Sequence, residues 1–314
     1  MHGCSRILVT GGAGFIGSHL VDRLLEECVD VIILDNLLNG QLKNINQHFG
    51  KKNFRFVQGD IRDYQLVSTL IKDVDAVIHL AAQISPSASI ENPVLTNDIN
   101  VNGTLNLLKA STDSNVKRFV FASSSAVYGD VRTSPIKEEC LPTPLSPYGV
   151  SKLAGEAYTL VFHKVYGLET VCLRYFNVYG PRQTYNDYSG VITKFMNRIK
   201  SNLPPIIFGD GNQSRDFVHI QDVVEANVKA LENETAVGET VNIATGVATT
   251  INQLAHLLLA SADKPHLKVQ YSESHIGDIR NSVGDVIKAQ SLLHYSAEFS
   301  LKEGLKELLE HYKY

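Results

Sequence analysis

The sequence has four cysteines in 314 residues, Cys4, Cys28, Cys140 and Cys172, and no Cys-x-x-Cys pair. Thiols scattered in this way give no sign of a disulfide framework or a metal site and suit reduced side chains in a cytoplasmic protein. An excess of positive charge is missing too. Lys and Arg number 29 against 33 Asp and Glu, a net charge of -4 with histidine neutral. That balance gives no electrostatic reason to expect nucleic acid or an anionic membrane as partner, although a local basic phosphate site stays open. No run of about 18 apolar residues occurs, so no membrane-spanning helix is expected. Met1 to Arg6 lead straight into a strand without the apolar stretch of a secretory signal. Repeats and low-complexity tracts are also missing. What is left is an ordinary globular composition, 44% hydrophobic and 20% charged, at the length of one large domain or two.

Arg6 to Thr10 is a short apolar run, read as a buried parallel strand. Gly11-Gly12-Ala13-Gly14-Phe15-Ile16-Gly17 follows, and Ser18 to Leu25 is helix-like. Strand, glycine turn and helix in that order bring backbone N–H groups onto a pyrophosphate. Gly11, Gly14 and Gly17 allow the close approach, and the helix N-terminus favours the anion. A second strand, Val31 to Leu34, ends at Asp35. An acid about 20 residues beyond the glycine turn is placed to accept hydrogen bonds from a ribose diol, and it would repel a 2′-phosphate, so NAD is favoured over NADP.

Phe54 to Gln58 reads as a third strand. Asp60 and Ile61 leave it where adenine should lie, and Asp60 is equally able to cap the next helix. A fourth strand from Ala76 runs through Leu80 into Ala81 and Ala82, whose small side chains suit either a ligand or tight packing. The helix over Asn97 to Leu108 is rich in unfavourable asparagines, so Asn100 is expected to point at something polar inside. Lys117 to Ser125 is a fifth strand ending in Ser123, Ser124 and Ser125, at the strand end where open α/β sheets hold ligands. Thr143 to Pro147 breaks the chain before Tyr148-Gly149-Val150-Ser151-Lys152.

Four positions apart on a helix, Tyr148 and Lys152 address the same small volume. For tyrosine to act as a base at neutral pH, its pKa must fall from about 10 by roughly three units, about 4 kcal/mol. One cation at about 6 Å, in an effective dielectric near 20, supplies only about 2.8 kcal/mol. Lys152 alone falls short; an oxidised nicotinamide ring is the second cation. The alternation continues to a sixth strand, Leu168 to Asn177, and weakens after Tyr179 to Arg182. Beyond it come short helices over 189–200, 220–232, 251–262 and 301–312 and a weak edge strand at Leu203 to Gly209. The expected architecture is α/β. Residues 1–177 form a Rossmann-type, doubly wound parallel sheet that binds NAD, and residues 178–314 form a smaller mixed α/β substrate lobe from which strands can return to the first domain.

Taken together these motifs resemble the extended short-chain dehydrogenase/reductases, in their nucleotide-sugar epimerase and dehydratase group. The resemblance rests on Thr10 to Leu20, Ser123 to Gly129, Tyr148 to Lys152, Arg174 to Arg182, Arg215-Asp216-Phe217-Val218-His219, Gly277-Asp278 and Asp285 to Ala289, nearly end to end. Dehydratases of the group resemble one another in an Asp-Glu pair where this chain has Ser125-Ala126. UDP-xylose-forming decarboxylases share a nearby glutamate that is missing here. The remaining likeness is to 4-epimerases of the UDP-galactose or UDP-N-acetylglucosamine type.

That resemblance implies roles. Tyr148 as phenolate takes the proton of the sugar 4-hydroxyl while C4 gives hydride to NAD; Ser124 bonds the same oxygen, and Lys152 holds the nicotinamide ribose and lowers the tyrosine pKa. The 4-keto sugar turns over and takes the hydride back on its other face, so NAD stays tightly bound. The implied cofactor site is Gly11, Gly14, Phe15, Ile16, Gly17, Asp35, Asn36, Asp60, Ile61, Leu80, Ala81, Ala82, Asn100, Tyr148, Lys152 and Tyr175. The implied substrate site is Ser124, Tyr148, Asn177 and Arg215 at the diphosphate, Asp278 at the uridine ribose, and Val191, Ile207 and Ser282.

Ser282 stands where epimerases of this type resemble one another in a bulky tyrosine that excludes a 2-acetamido group. Serine leaves room, so UDP-GlcNAc and UDP-GalNAc are expected substrates beside UDP-Glc and UDP-Gal. A dehydratase, a reductase, a UDP-glucuronate 4-epimerase and a non-catalytic NAD-binding protein are the alternatives; the presence of both Tyr148 and Lys152 speaks against the last. His275 replaces an arginine that often clamps the diphosphate, which shifts that task to Arg215 and backbone N–H groups or to Arg182. The helices Asn100 to Leu108 and Ser151 to Val165 resemble a pair that forms a four-helix homodimer interface, with Leu153, Ala157, Leu160 and Val161 as the apolar face.

Overall fold

The computed structural model describes residues 5–184, 190–274 and 279–312. The first half runs β1 (Arg6–Thr10), α1 (Phe15–Glu26), β2 (Asp30–Asp35), β3 (Phe54–Gln58), α2 (Tyr64–Ile71), β4 (Ala76–His79), α3 (Pro86–Glu91), α4 (Pro93–Asn97), α5 (Gly103–Asp113), β5 (Arg118–Ser124), α6 (Pro147–Tyr166) and β6 (Glu169–Tyr175). The second half runs β7 (Asn177–Tyr179), α7 (Val191–Lys200), β8 (Ile206–Phe208), β9 (Ser214–Arg215), β10 (Phe217–His219), α8 (Ile220–Glu232), β11 (Glu239–Ile243), β12 (Thr249–Thr250), α9 (Ile251–Ser261), β13 (Gln270–Ser272), β14 (Asn281–Ser282), α10 (Ile287–Leu293) and α11 (Leu301–His311). The short helix α10 went unmarked in the residue pattern.

The central sheet has 7 strands in the order β11-β6-β5-β4-β1-β2-β3, every pair parallel. Its middle strands β1, β2 and β4 are near-continuous apolar runs because both faces are covered. Ile7, Val9 and Ile33 pack with Leu20 and Leu24 of α1 and with Val223 and Val224 of α8. Leu8, Ile32 and Leu34, the alternate residues, pack with Val67 of α2, Leu107 of α5 and Phe162 of α6. The chain reverses its winding direction at β1, which pairs with both β2 and β4; that switch point is where a doubly wound sheet opens a crevice for a nucleotide.

The second half does not stay apart. β11 pairs with β6 as an edge strand of the large sheet, and α8 lies against α1. What remains forms a lobe of small sheets, β12-β9-β14, β13-β8 and β10-β7. A third core holds it together: Phe195 and Met196 of α7, Leu254 and Leu258 of α9, and Leu305 and Leu308 of α11.

Two local expectations change. Asp60 does not cap α2; Asp63 does, accepting from the Leu66 N–H at 3.0 Å. The asparagine-rich helix is not uniform either: Asp98–Asn102 winds as a π-helix between α4 and α5. The wider turn buries Asn100, and π turns inside helices recur at functional sites. Among the described residues no helix is long and apolar enough to cross a membrane.

Candidate active site

The glycine turn links β1 to α1 where the sheet reverses. Gly11 has φ +70°, and a Cβ there would stand 2.9 Å from the Ala81 backbone nitrogen; a Cβ on Gly17 would stand 2.2 Å from the Gly11 carbonyl oxygen. Side chains are therefore excluded from both positions, and backbone occupies the space. Gly14 is the N-cap of α1 and offers no side-chain cap, so the first N–H groups of the helix are left for an anion. Phe15 and Ile16 open that helix.

The Asp35 carboxylate, at the end of β2, accepts from the Ala13 N–H at 3.0 Å and the Leu37 N–H at 2.8 Å. Burial raises its pKa, against those two bonds. Asn36 donates to Asp60 at 3.1 Å. Arg62 binds Asp60 from Nε and Nη2 at 2.9 and 2.8 Å and holds its carboxyl down at about 2. Ile61 is buried beside them. On the other side of β1, the Leu80 N–H donates to the Thr10 carbonyl at 3.2 Å and the Ala81 N–H to the Thr10 hydroxyl at 3.2 Å, which brings Ala81 against Gly11 and leaves Ala82 next in line. A turn stripped of side chains, a helix N-terminus without a cap and a carboxylate at the neighbouring strand end together fit a dinucleotide.

The catalytic candidates meet at the ends of β5 and α6. Ser146 caps α6, accepting from the Gly149 N–H at 3.1 Å, and Pro147 begins the helix. Tyr148 and Lys152 share a face of it. Burial raises the pKa of the Tyr148 phenol, and the neighbouring Ser124 hydroxyl draws it partly back down. The Ser124 hydroxyl also accepts from the Ala126 N–H at 3.2 Å. Lys152 is 4% exposed; its Nζ donates to the Ala122 carbonyl at 2.8 Å and lies 5.2 Å from the centre of the Phe121 ring. Burial brings its pKa down to about 8, opposed by the Glu156 charge. Asn100 accepts from the Gln83 N–H at 2.7 Å and donates to the Ser151 hydroxyl at 2.9 Å, so the expected buried polar partner is the catalytic helix itself. The Ser89 hydroxyl, unremarked in the sequence, accepts from the Tyr148 N–H at 3.0 Å.

From there the strand ends lead into the lobe. Ser124 faces Tyr175 across β5 and β6. Tyr175 spends its hydroxyl on Asn227 of α8 at 2.8 Å, which leaves its backbone at the strand end. Asn177 starts β7 and donates from its side chain to the Asp216 carbonyl at 3.2 Å. Arg215 on β9 donates to the Ser214 and Ile279 carbonyls at 2.8 and 2.7 Å and stands opposite Ser282 of β14 in register. Val191 is the first residue of α7, and Ile207 lies buried in β8. Asp278 and His275 lie outside the described residues. Arg182 is already engaged, with Nη2 2.7 Å from Asp22.

Residues 7–244 match the NAD dependent epimerase/dehydratase family. The chain belongs to that family. Its cofactor is accordingly NAD, as the glycine turn and Asp35 suggested, and it is an enzyme of the group its motifs resembled. Over 305 residues it is 46% identical to a putative UDP-glucose 4-epimerase of Methanocaldococcus jannaschii, covering 96% of this chain and 97% of that one. The crystal structure of a UDP-glucose 4-epimerase from Thermotoga maritima with UDP-glucose superposes with a TM-score of 0.93 at 40% identity, covering 98% of both chains. A UDP-N-acetylglucosamine 4-epimerase from Methanobrevibacter ruminantium, in complex with UDP-N-acetylmuramic acid, does so at 0.93 and 36%, again over 98% of both.

Proposed function

We propose that this chain is a 4-epimerase of UDP-hexoses that accepts UDP-GlcNAc and UDP-GalNAc as well as UDP-Glc and UDP-Gal. The observation that carries the chemistry is the meeting of Ser124, Tyr148 and Lys152 at the ends of β5 and α6, in a family that uses NAD. NAD bound in the crevice supplies a reversible hydride acceptor for the sugar C4 and a positively charged ring. Burial pushes the Tyr148 phenol up, so the deficit left by Lys152 alone is larger than the reference value implies, and the ring charge is needed to close it. Tyr148 then takes the proton of the 4-hydroxyl, Ser124 holds that oxygen, and Lys152 turns from the Ala122 carbonyl to a ribose. The same proton returns to the same oxygen once the 4-keto sugar has presented its other face.

Asn177 and Arg215 are the proposed diphosphate contacts, with Val191, Ile207 and Asp278 around the uridine. The short Ser282 side chain, in place of a bulky tyrosine, is the proposed room for a 2-acetamido group. Names of the relatives, glucose-type and N-acetylglucosamine-type alike, support UDP-hexoses as the class. A homodimer through α6 is part of the proposal, with an altered face. Leu153 and Leu160 are partly buried against the cores, while Val150, Val161 and Val165 are exposed, the last at 67%. The free Cys28, Cys140 and Cys172 suit a cytoplasmic setting.

The test is to incubate purified protein, with no cofactor added, separately with UDP-GlcNAc and UDP-Glc and to follow the 4-epimers by NMR. Conversion of both is expected. Conversion of UDP-Glc alone would remove the Ser282 assignment and keep the chemistry; no conversion of either, with NAD then supplied, would point to another nucleotide sugar such as UDP-glucuronate or to another reaction of the family.

A further inference from the structure

Glu156 lies one helical turn beyond Lys152 and two beyond Tyr148, on the same face of α6, and is 2% exposed. Its carboxylate accepts from Nε and Nη2 of Arg174 on β6 at 2.9 and 2.8 Å and from the hydroxyl of Ser123 on β5. Three successive residues of β5 thereby meet one helix face: the Ala122 carbonyl is bonded to Lys152, the Ser123 hydroxyl is bonded to Glu156, and Ser124 stands beside Tyr148. Arg174 continues inward. Its Nη1 donates to the Tyr128 hydroxyl at 2.8 Å, and that hydroxyl donates to Asn242 of β11 at 2.6 Å. The catalytic helix is tied to three strands of the sheet through groups that the epimerisation chemistry does not use.

We propose that Glu156 is a positioning residue, which sets the spacing of Ser124 and Tyr148 through Ser123 and Arg174 and keeps a negative charge one turn from the Lys152 ammonium. The proposal rests on the roles given to Tyr148 and Lys152 above. A buried ion pair costs desolvation that an apolar pair would not, and this one stands at the back wall of the site. The charged and titratable groups around the Lys152–Glu156 pair are Tyr148 on α6, His79 on β4, and Arg174 and Cys172 on β6. His79 is kept neutral and the Cys172 thiol protonated, both by burial. Glu156 is thus the carboxylate of the group, and without it the buried Lys152 ammonium would lose the one charge that offsets its burial.

Two variants test this. The charge state of Lys152 is followed by NMR through a pH titration of [13C]lysine-labelled holoenzyme, its signal assigned with Lys152→Arg. In Glu156→Gln the proton affinity of Lys152 should drop about tenfold or more. Its kcat should fall about tenfold or more with KM nearly unchanged, and the alkaline limb of the kcat profile should begin at lower pH. Ser123→Ala strands no charge; it should leave the lysine titration in place and lower kcat about threefold to tenfold. An unchanged Lys152 titration in Glu156→Gln would overturn the proposal. If Glu156→Gln does not fold, wild-type kcat in Ser123→Ala overturns it. A wild-type protein that converts no UDP-sugar would count against the epimerase reading alone, because the lysine titration needs no substrate.

Discussion

The two ends of the site are built in different ways. The cofactor end is made of backbone: a glycine turn, a bare helix terminus and strand ends, each set by spacing within a few residues of the chain. The proposed sugar end is made of residues far apart in sequence. Arg215 pairs in register with Thr249 on one side and Ser282 on the other. Asp216, between β9 and β10, holds the ends of this arrangement together. Its buried carboxylate accepts from the Thr245 N–H and hydroxyl at 2.8 and 2.6 Å, from the Gly246 N–H at 2.9 Å and from the Gly284 N–H at 3.3 Å. The first end is fixed to the sheet; in the second, one carboxylate gathers three separate stretches of chain.

The sharpest way to separate the ends is by what each loses. Tyr148→Phe removes the proton acceptor and no packing, so kcat should fall about a thousandfold, about 4 kcal/mol. The melting temperature and the amount of NAD that co-purifies should stay as in the wild type. Loss of bound NAD in that variant would mean that the tyrosine belongs to the cofactor cradle more than to the chemistry. Asp216→Ala should do the opposite. Three backbone donors lose their acceptor, and at about 1 kcal/mol or more for each stranded group the cost is about 3 kcal/mol. Denaturant unfolding measures it, and KM for the UDP-sugar should rise before kcat falls. A variant as stable as the wild type would show that the lobe does not hang on Asp216.

The same division explains what the sequence disclosed. Gly11, Tyr148 and Lys152 could be found because short-range spacing puts them on one turn or one helix face, Asp35 because it ends the next strand, and Ser124 through the resemblance of its segment to a family. Glu156 could have been found by continuing the four-residue step from Tyr148 and Lys152, since a carboxylate on a face that must be buried needs a partner. The cap at Asp63 in place of Asp60 depended on where α2 begins, a matter of three residues that pattern does not resolve. The pairing of Arg215 with Ser282 had no local trace, because two-residue strands leave no periodicity to read. Leu153 and Leu160 belong to a helix that is apolar on more than one face, and spacing does not say which face meets the core.

Acid should reveal whether the two regions unfold together. His79 in the large sheet is 1% exposed and bonded to the Thr10 and Thr104 hydroxyls at 2.7 and 2.9 Å. His219, at the head of α8, is 0% exposed. Burial, helped by the Lys152 charge, lowers the first pKa to about 3, and burial, helped by His19, lowers the second to about 4. Both are neutral in the fold and protonate near 6.5 once unfolded, so the unfolded chain binds more protons below that pH. Stability is full above about 6.5 and declines as pH falls toward 4 and 3; at pH 5 His79 alone should cost about 2 kcal/mol relative to neutral pH. Because β11 and α8 interleave the regions, one cooperative transition is expected at both pH values. Two separate transitions at pH 5 would mean that the lobe is an independent unit.

The smallest expected effect falls on selectivity alone. Ser282 is 7% exposed, and its backbone carbonyl accepts from the Asp216 N–H at 2.9 Å, so its position is fixed by β9 while its side chain is short. Ser282→Tyr adds a ring to the sugar end without touching Tyr148, Lys152 or the glycine turn. The kcat/KM for UDP-GlcNAc should fall about tenfold, about 1.4 kcal/mol, while that for UDP-Glc changes by less than about twofold. Competition between the two substrates in one tube, read by NMR, measures the ratio directly and is insensitive to the fraction of active protein. An equal fall for both sugars would mean that the ring disturbs the lobe as a whole; no fall for either would mean that the 2-acetamido group is accommodated by residues other than Ser282, and that the sugar end is less localised than the pairing of β9 with β14 suggests.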